Sequence, residues 1–358
     1  MSAREILVRG PNWTGDLIMA TPGFRALRAG FPDARITLQL RAPLKPLLDG
    51  APWFDAVLPI SSRPRGLAAL LREGRALRRL ARFEIGLCLP DSFEAALLMR
   101  AAGVHRIVGY AGGGRGVLLH QAVPRPRASG GRLLLARELH VLGLVEALGC
   151  ARLGTGLELF VTASEEREAG DALRARGLDP EARLALLAPG ASFGASKLWP
   201  VRSFAAVGDA LAEQGAEIAV LGAPDERGLT AAVVAAMNRP AADLAGAVGL
   251  GALKALVRRA RVLVANDAGA RHLAVAFGVP CIVVMGPTAL EKTNLNLERV
   301  SVLTADVACR PCYLRDCPID HRCMTRIPSA PVAAEALHAL EARDAYAGVQ
   351  RVVGGLAA

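Results

Sequence analysis

The chain has 358 residues, 52% of them hydrophobic and 21% charged, and 43 Lys and Arg stand against 33 Asp and Glu for a formal charge of +10. That length predicts two domains, because single hydrophobic cores stop growing at roughly 250–300 residues. The hydrophobic content excludes a disordered chain, and the length excludes a disulfide-stapled miniprotein.

In chain order, apolar runs at 5–9, 35–40, 55–60, 84–89 and 105–109 read as strands. Ala-, Leu- and Arg-rich segments with helical spacing at 16–29, 66–82 and 132–148 lie between and after them. A stretch near 149–182 carrying Gly149, Gly154, Gly156 and Pro180 interrupts the pattern. A second series follows, with strands at 183–188, 216–221, 241–244, 262–265 and 281–285 and helices at 203–214, 225–238 and 249–260. Strand–helix alternation implies parallel sheets flanked by helices, and continuously apolar strands agree with burial on both faces. The expected class is α/β, with two doubly wound domains, residues 1–162 and 163–358, facing each other across a cleft. The last helical stretch, 332–346, could pack on either of them. Ligands of such sheets bind beyond the carboxyl ends of strands, so functional residues are expected in the loops there. No run of 18 apolar residues occurs, and Arg4, Glu5, Arg9 and Asp16 break any signal-peptide core, so a cytoplasmic chain is expected.

The charge is uneven. Residues 1–160 hold 22 Lys and Arg against 12 Asp and Glu, whereas residues 161–358 hold 21 of each. A basic half suits an anionic partner. An arginine-rich coding bias is the alternative, since only four of the 43 cations are Lys. Two arginine-rich surfaces stand out, one of Arg63, Arg65, Arg72, Arg75, Arg78, Arg79 and Arg82, the other of Arg106, Arg115, Arg125 and Arg127. The first also reads as a solvated helix face. With aromatics at 4% and none interleaved among these arginines, single-stranded nucleic acid is a poor fit, because it needs stacking platforms.

Four segments could carry chemistry. Arg9-Gly10-Pro11-Asn12-Trp13-Thr14-Gly15-Asp16 follows the first strand and opens a helix, and Asp16 there either caps that helix or serves as a reactive carboxylate. The loop has neither G-x-G-x-x-G nor G-K-[ST], so no dinucleotide or P-loop fingerprint is present. Pro189-Gly190-Ala191-Ser192-Phe193-Gly194-Ala195-Ser196-Lys197-Leu198-Trp199-Pro200 follows the first strand of the second half, and Lys197 beside exposed N–H groups suits a phosphate. Asn266-Asp267-Ala268-Gly269-Ala270-Arg271-His272 ends a buried strand at a helix start, which makes an anion site. Asp267 there is expected to bind a hydroxyl or cap the helix, and His272 either reaches the anion or is structural. The turn Met285-Gly286-Pro287-Thr288 forms a further small-residue wall. Last, Cys309, Cys312, Cys317 and Cys323 fall within 15 residues, open to a structural zinc ion, free redox-labile thiols or disulfides. Cys88, Cys150 and Cys281 read as core.

Taken together, GPNWTGDLIMATP (10–22), PDSFEAAL (90–97), PGASFGASKLWP (189–200), LGAPDE (221–226), NDAGARHLA (266–274) and GPT (286–288) resemble the bacterial heptosyltransferase family of glycosyltransferases, family 9, over nearly the whole chain. The resemblance implies the GT-B architecture of two facing Rossmann-like domains. It implies an inverting transfer of heptose from ADP-heptose to the inner core of lipopolysaccharide, with no required cofactor. The first domain would bind the acidic, lipid-linked acceptor, with Arg63, Arg65 and Arg115 as acceptor-binding residues and peripheral contact with the inner membrane face. The second would bind the nucleotide sugar. Asp16 matches the family's proposed general base. Ser192, Lys197, Glu226, Asp267, Ala268, Gly269 and His272 match the donor-binding positions. The family usually has Ser or Thr at the place of Ala268, and one of its transferases often has Glu at the place of Ser192 and Asn at that of Asp91. Another nucleotide-sugar GT-B enzyme acting on a different glycan, or a non-catalytic nucleotide-sugar binder, are the alternatives.

Overall fold

The computed structural model describes residues 3–60, 66–125, 127–128, 131–132 and 135–353. The chain divides into two compact units, Met1–Glu158 with Glu291–Leu295, and Leu159–Leu290 with Asn296–Ala358.

The first unit is a six-stranded parallel sheet of β1 (Glu5–Arg9), β2 (Arg35–Arg41), β3 (Ala56–Ile60), β4 (Ile85–Cys88), β5 (Arg106–Tyr110) and β6 (Gln121–Val123). Its order is β3-β2-β1-β4-β5-β6, and a two-residue hairpin of β7 (Arg127–Ala128) and β8 (Gly131–Arg132) stands apart. Order reverses between β1 and β4, which opens a crevice for ligands beyond their carboxyl ends. Five helices accompany this sheet: α1 (Thr14–Ile18), α2 (Thr21–Gly30), α3 (Leu67–Leu80), α4 (Phe93–Ala101) and α5 (Arg137–Glu146). The single helix expected at 16–29 is two, because Pro22 opens α2 in its first turn and Thr21 Oγ1 donates to Ile18 O at 2.7 Å. Helix α3 buries Leu70, Gly74 and Leu77 and exposes Arg72, Arg75, Arg78 and Arg79, so these four arginines form a solvated face.

The second unit is a seven-stranded parallel sheet in the order β11-β10-β9-β12-β13-β14-β15. Its strands are β9 (Leu184–Ala188), β10 (Glu217–Val220), β11 (Ala242–Asp243), β12 (Val262–Asn266), β13 (Cys281–Val284), β14 (Val300–Thr304) and β15 (Gln350–Val352). Strands β9, β12 and β13 are buried along their whole length, as their uninterrupted apolar sequences require. The helices are α6 (Ala163–Arg174), α7 (Val201–Glu213), α8 (Arg227–Ala236), α9 (Leu250–Arg259), α10 (Gly269–Ala276), α11 (Arg322–Thr325) and α12 (Ser329–Glu341). Helix α6 starts at a capping box, in which Thr162 Oγ1 accepts from Glu165 N and Glu165 Oε2 accepts from Thr162 N. The last helix, left open between the two domains, packs on α7 and the β12–β13 strands of this second unit. Its Val332, Ala336, Ala339 and Leu340 join a core with Trp199 and Phe204, and that apolar stripe decides its place. Among the described residues no helix is long and apolar enough to cross a membrane.

Candidate active site

In the second unit the strand order switches between β9 and β12, and the loops beyond those strands hold the predicted donor residues. Asn266, fully buried at the end of β12, laces the two loops together. Its Nδ2 donates to Pro189 O at 2.6 Å and its Oδ1 accepts from Trp199 N at 3.2 Å. The loop is thereby pinned at both ends, with Lys197 carried between them.

Asp267 is the centre of the site. Lys197 Nζ lies 2.7 Å from its Oδ2 and 2.6 Å from its carbonyl oxygen. Arg271 NH1 donates to Oδ1 at 2.9 Å and Thr288 Oγ1 donates to Oδ2 at 2.7 Å. Burial alone would raise its pKa, but the Arg271 and Lys197 charges outweigh burial and hold the carboxyl well below the usual carboxylate range. Asp267 therefore neither caps the helix nor stands free for a hydroxyl. It fixes two cations, and the N-cap position is Ala268, which has no side-chain cap. Among the described residues, two of the three ammonium donors of Lys197 are used on Asp267 and the third is left for an anion, with the Phe193 ring centroid 5.3 Å from Nζ. Gly269 begins α10, whose first N–H groups have no intrahelical partner.

His272 is buried one turn into α10. Burial, reinforced by Arg271, pushes its pKa down to about 3. It is a neutral imidazole at pH 7 and adds no charge, so Lys197, Arg271 and Asp267 sum to one positive charge. The depressed value has a consequence for folding. Between pH 6.5 and about 3 the unfolded chain takes up a proton that the folded chain refuses, so stability is present above 6.5 and falls as pH drops through that window. The expected slope is ~1.4 kcal/mol per pH unit, the value of one differential proton. Urea unfolding at pH 6.5 and 5.0 should show it, and His272→Gln should flatten it by about that amount. An unaltered slope in the variant would remove the cause assigned here.

Glu226 ends a short turn after β10, where its Oε2 accepts from Ala223 N at 2.9 Å. Its carboxylate lies against Gly190, where an added Cβ would come within 2.2–2.3 Å of it, so only glycine lets the two loops meet. Ser192 is exposed on the same loop.

The cysteine-bearing segment crosses these loops. Ser196 N donates to Arg315 O at 2.9 Å, Ser196 Oγ to Leu314 O at 2.6 Å, and His321 Nε2 to Ser196 O at 2.7 Å. Arg310 Nε donates to Gly286 O at 2.9 Å and Tyr313 N to Pro287 O at 2.9 Å. A Cβ at Gly194 would lie 2.3 Å from Arg315 O. The segment braces the donor loops through backbone contacts that its cysteine spacing did not announce. Cys309, Cys312, Cys317 and Cys323 are all free, the first two exposed and the last buried. Among the described residues no three His, Cys, Asp or Glu are arranged to hold a metal ion, which removes the support for zinc at these four thiols.

In the first unit, Asp16 sits in the first turn of α1 behind Trp13, which holds the N-cap position without a side-chain cap. Its carboxylate does not cap the helix. It is one-third exposed, and Arg137 Nε at the start of α5 stands 3.7 Å away. Beyond β4, Asp91 receives Arg115 NH2 and Arg125 NH2 at 2.7 Å each, with His140 Nε2 at 3.6 Å. Those cations balance the Asp91 carboxylate. Arg115 is only 3% exposed and also donates to Tyr110 O and Asp91 O. It holds Asp91 and Tyr110 in place instead of facing an acceptor, a role sequence spacing could not reveal because its partners are non-local. Arg63 and Arg65 lie outside the described residues.

The description "Glycosyltransferase family 9 (heptosyltransferase)" belongs to the family that matches residues 70–322. Lipopolysaccharide heptosyltransferase 2 of Escherichia coli K12 is 27% identical over 303 residues, which cover 81% of this chain and 84% of that one. Two solved structures share the fold. E. coli ADP-heptose lps heptosyltransferase II superposes with a TM-score of 0.78 at 24% identity over 95% of this chain and 99% of that one. A family 9 glycosyl transferase from Veillonella parvula gives 0.75 at 21% over 84% and 85%. Two doubly wound parallel sheets, each with loops beyond its switch point, thus define a GT-B α/β fold. The chain belongs to glycosyltransferase family 9, and it is a glycosyltransferase.

Proposed function

We propose that this enzyme transfers heptose from ADP-heptose to the inner core of lipopolysaccharide, with inversion at the anomeric carbon. The observation that carries the reading is the cluster of Lys197, Asp267 and Arg271 at the start of α10. It is preorganised, carries one net positive charge and keeps a Lys197 N–H to donate. Such a group stabilises the negative charge that grows on a departing nucleoside diphosphate. Residues 163–358 would hold the donor, with Ala268 and Gly269 offering backbone N–H groups to the phosphates, Glu226 taking the ribose hydroxyls and Ser192 and His272 lining the sugar. Residues 1–162 would hold the acidic, lipid-linked acceptor, and Arg63 and Arg65 remain its proposed ligands.

The acceptor hydroxyl attacks the anomeric carbon as the bond to the diphosphate oxygen breaks, and Asp16 accepts the hydroxyl proton. The oxygen–carbon bond forms on the face opposite the leaving group, and the nucleoside diphosphate leaves with its electron pair. Heptose in the donor is favoured over other sugars by the names of the relatives at 26–27% identity. Peripheral attachment to the inner membrane face follows from a lipid-linked acceptor and the basic first half of the chain.

Thermal-shift titration with ADP-, UDP- and GDP-sugars tests the donor. ADP-heptose should stabilise the enzyme by about 2.7 kcal/mol at 100 times its Kd, and the others far less. Preference for a UDP- or GDP-sugar would assign the chain a different donor. Lys197→Ala should weaken ADP-heptose binding by calorimetry about 10–100-fold, in keeping with loss of one charge-assisted hydrogen bond. Unchanged affinity would refute its contact with the diphosphate.

A further inference from the structure

A small cavity in the first unit opens beyond the carboxyl ends of β1, β2 and β3, lined by Arg9, Asn12, Gln39, Glu73 and Glu94 among its polar residues and by Leu70 and Leu98 among its apolar ones. Its volume is about 40 Å³. One water-sized group needs ~10–15 Å³, so the cavity takes about three or four such groups and is too small for a sugar ring.

The cavity wall has an unmet demand. Gln39 is 1% exposed, and its Nε2 donates to Glu73 Oε1 at 3.0 Å. That bond fixes the amide orientation and leaves Gln39 Oε1 buried with no hydrogen-bond partner among the described residues. A buried carbonyl oxygen without a donor is costly, so the site calls for an O–H or N–H. Charge narrows the choice. Arg9 donates to Gly10 O, Gln39 O and Asn12 Oδ1, and two carboxylates, Glu73 and Glu94, line the same cavity. The lining therefore has a net negative charge and repels phosphate or carboxylate. A neutral hydroxyl on a short carbon arm satisfies both features, its C–H groups resting on Leu70 and Leu98. Asn12 ties the cavity to the loop that leads into α1, four residues before Asp16.

We infer that this cavity seats the exocyclic hydroxyl-bearing arm of the acceptor sugar and so selects an acceptor that has one. The inference depends on the transfer reaction proposed above and goes beyond it by naming the acceptor group that is read. The acceptor's acidic groups bind elsewhere.

The test compares two acceptors on the full-length enzyme, one ending in heptose with its two-carbon diol arm and one ending in a 6-deoxy sugar without the arm's hydroxyls. Removing those hydroxyls should raise the acceptor KM of the wild type about tenfold or more, the usual worth of one or two hydrogen bonds, with donor KM unchanged. Gln39→Met should raise KM for the heptose acceptor and abolish the difference between the two, and a melting temperature within a few degrees of wild type checks its fold. Equal acceptor discrimination in wild type and variant would overturn the inference, as it would if the cavity held only water. Saturation-transfer NMR with methyl heptoside supplies an arm independent of turnover. The terminal CH₂OH protons should show the strongest signal in the wild type and lose it in Gln39→Met and, as a second variant, Glu73→Gln. Signals unaffected by both variants would also overturn it. If the wild type transfers no sugar from ADP-heptose, the functional reading fails while the NMR comparison still decides the cavity.

Discussion

Asp16→Asn lowers kcat by about 10²–10⁴-fold, the usual contribution of a positioned general base, and leaves ADP-heptose affinity within about twofold. The carboxylate is the proton acceptor in the proposed displacement, and an amide cannot replace it. Asp16 is one-third exposed, does not cap α1, and pairs among the described residues with Arg137 at 3.7 Å. Its replacement by a residue of the same shape removes only the loose 3.7 Å pairing with Arg137, whose side chain is 21% exposed, so stability should move by no more than ~1 kcal/mol. Loss of turnover with fold and donor binding intact is the signature of a residue that acts in the reaction. Stopped-flow or single-turnover transfer gives the first quantity and calorimetry the second. A variant retaining a third or more of wild-type kcat would assign the proton to another group.

The second large effect falls on Asp267. Asp267→Ala leaves Lys197 and Arg271, 12% and 1% exposed at their side chains, facing each other without their counter-charge. Removing one partner of a buried ion pair costs about 3–5 kcal/mol, and Thr288 loses its acceptor as well. For a unit of this size that is a fall in melting temperature of roughly 6–20 °C at 2–4 °C per kcal/mol. Donor binding should fall with it, because Lys197 loses the carboxylate that aims it and keeps only the main-chain carbonyl of residue 267. Differential scanning calorimetry reads the loss, and a melting temperature within 2 °C of wild type would contradict the described role of Asp267. Asp267→Asn keeps the volume and one acceptor oxygen, so it should lie between the two.

The fold was largely legible because buried parallel strands write themselves as short apolar runs, and both loops at the β9–β12 switch point carry their chemistry in sequence. Lys197 and Asp267 are 70 residues apart, yet each sits just beyond one of two adjacent strands, so chain order alone brought them to one place. Helix α6 was hidden by its charged sequence inside a stretch read as a connection, although Thr162 and Glu165 spell a capping box. Strand β15 is exposed along its length and exists through pairing with β14, so no apolar run marks it. The non-local partners were beyond reach for a different reason. Arg115 looked like a surface cation because nothing in its own segment shows Asp91 and Tyr110 closing around it. The sequence around Asp267 suggests a cap or a hydroxyl ligand because nothing in it shows Lys197, 70 residues away, and Arg271 converging on the carboxylate. The spacing of the four clustered cysteines allowed zinc, and only coordinates show them free on a brace across the donor loops.

The exposed arginines of α3 are solvated, and Arg115 and Arg125 are spent on Asp91, so part of the basic excess of the first unit is internal or generic.

Mass spectrometry of the purified enzyme's reaction with ADP-heptose and a core oligosaccharide acceptor, with NMR of the new glycosidic bond, tests the proposed single displacement. One heptose should be added per ADP released, with the anomeric configuration inverted relative to the donor. ADP release without acceptor modification, or a product of retained configuration, would contradict it.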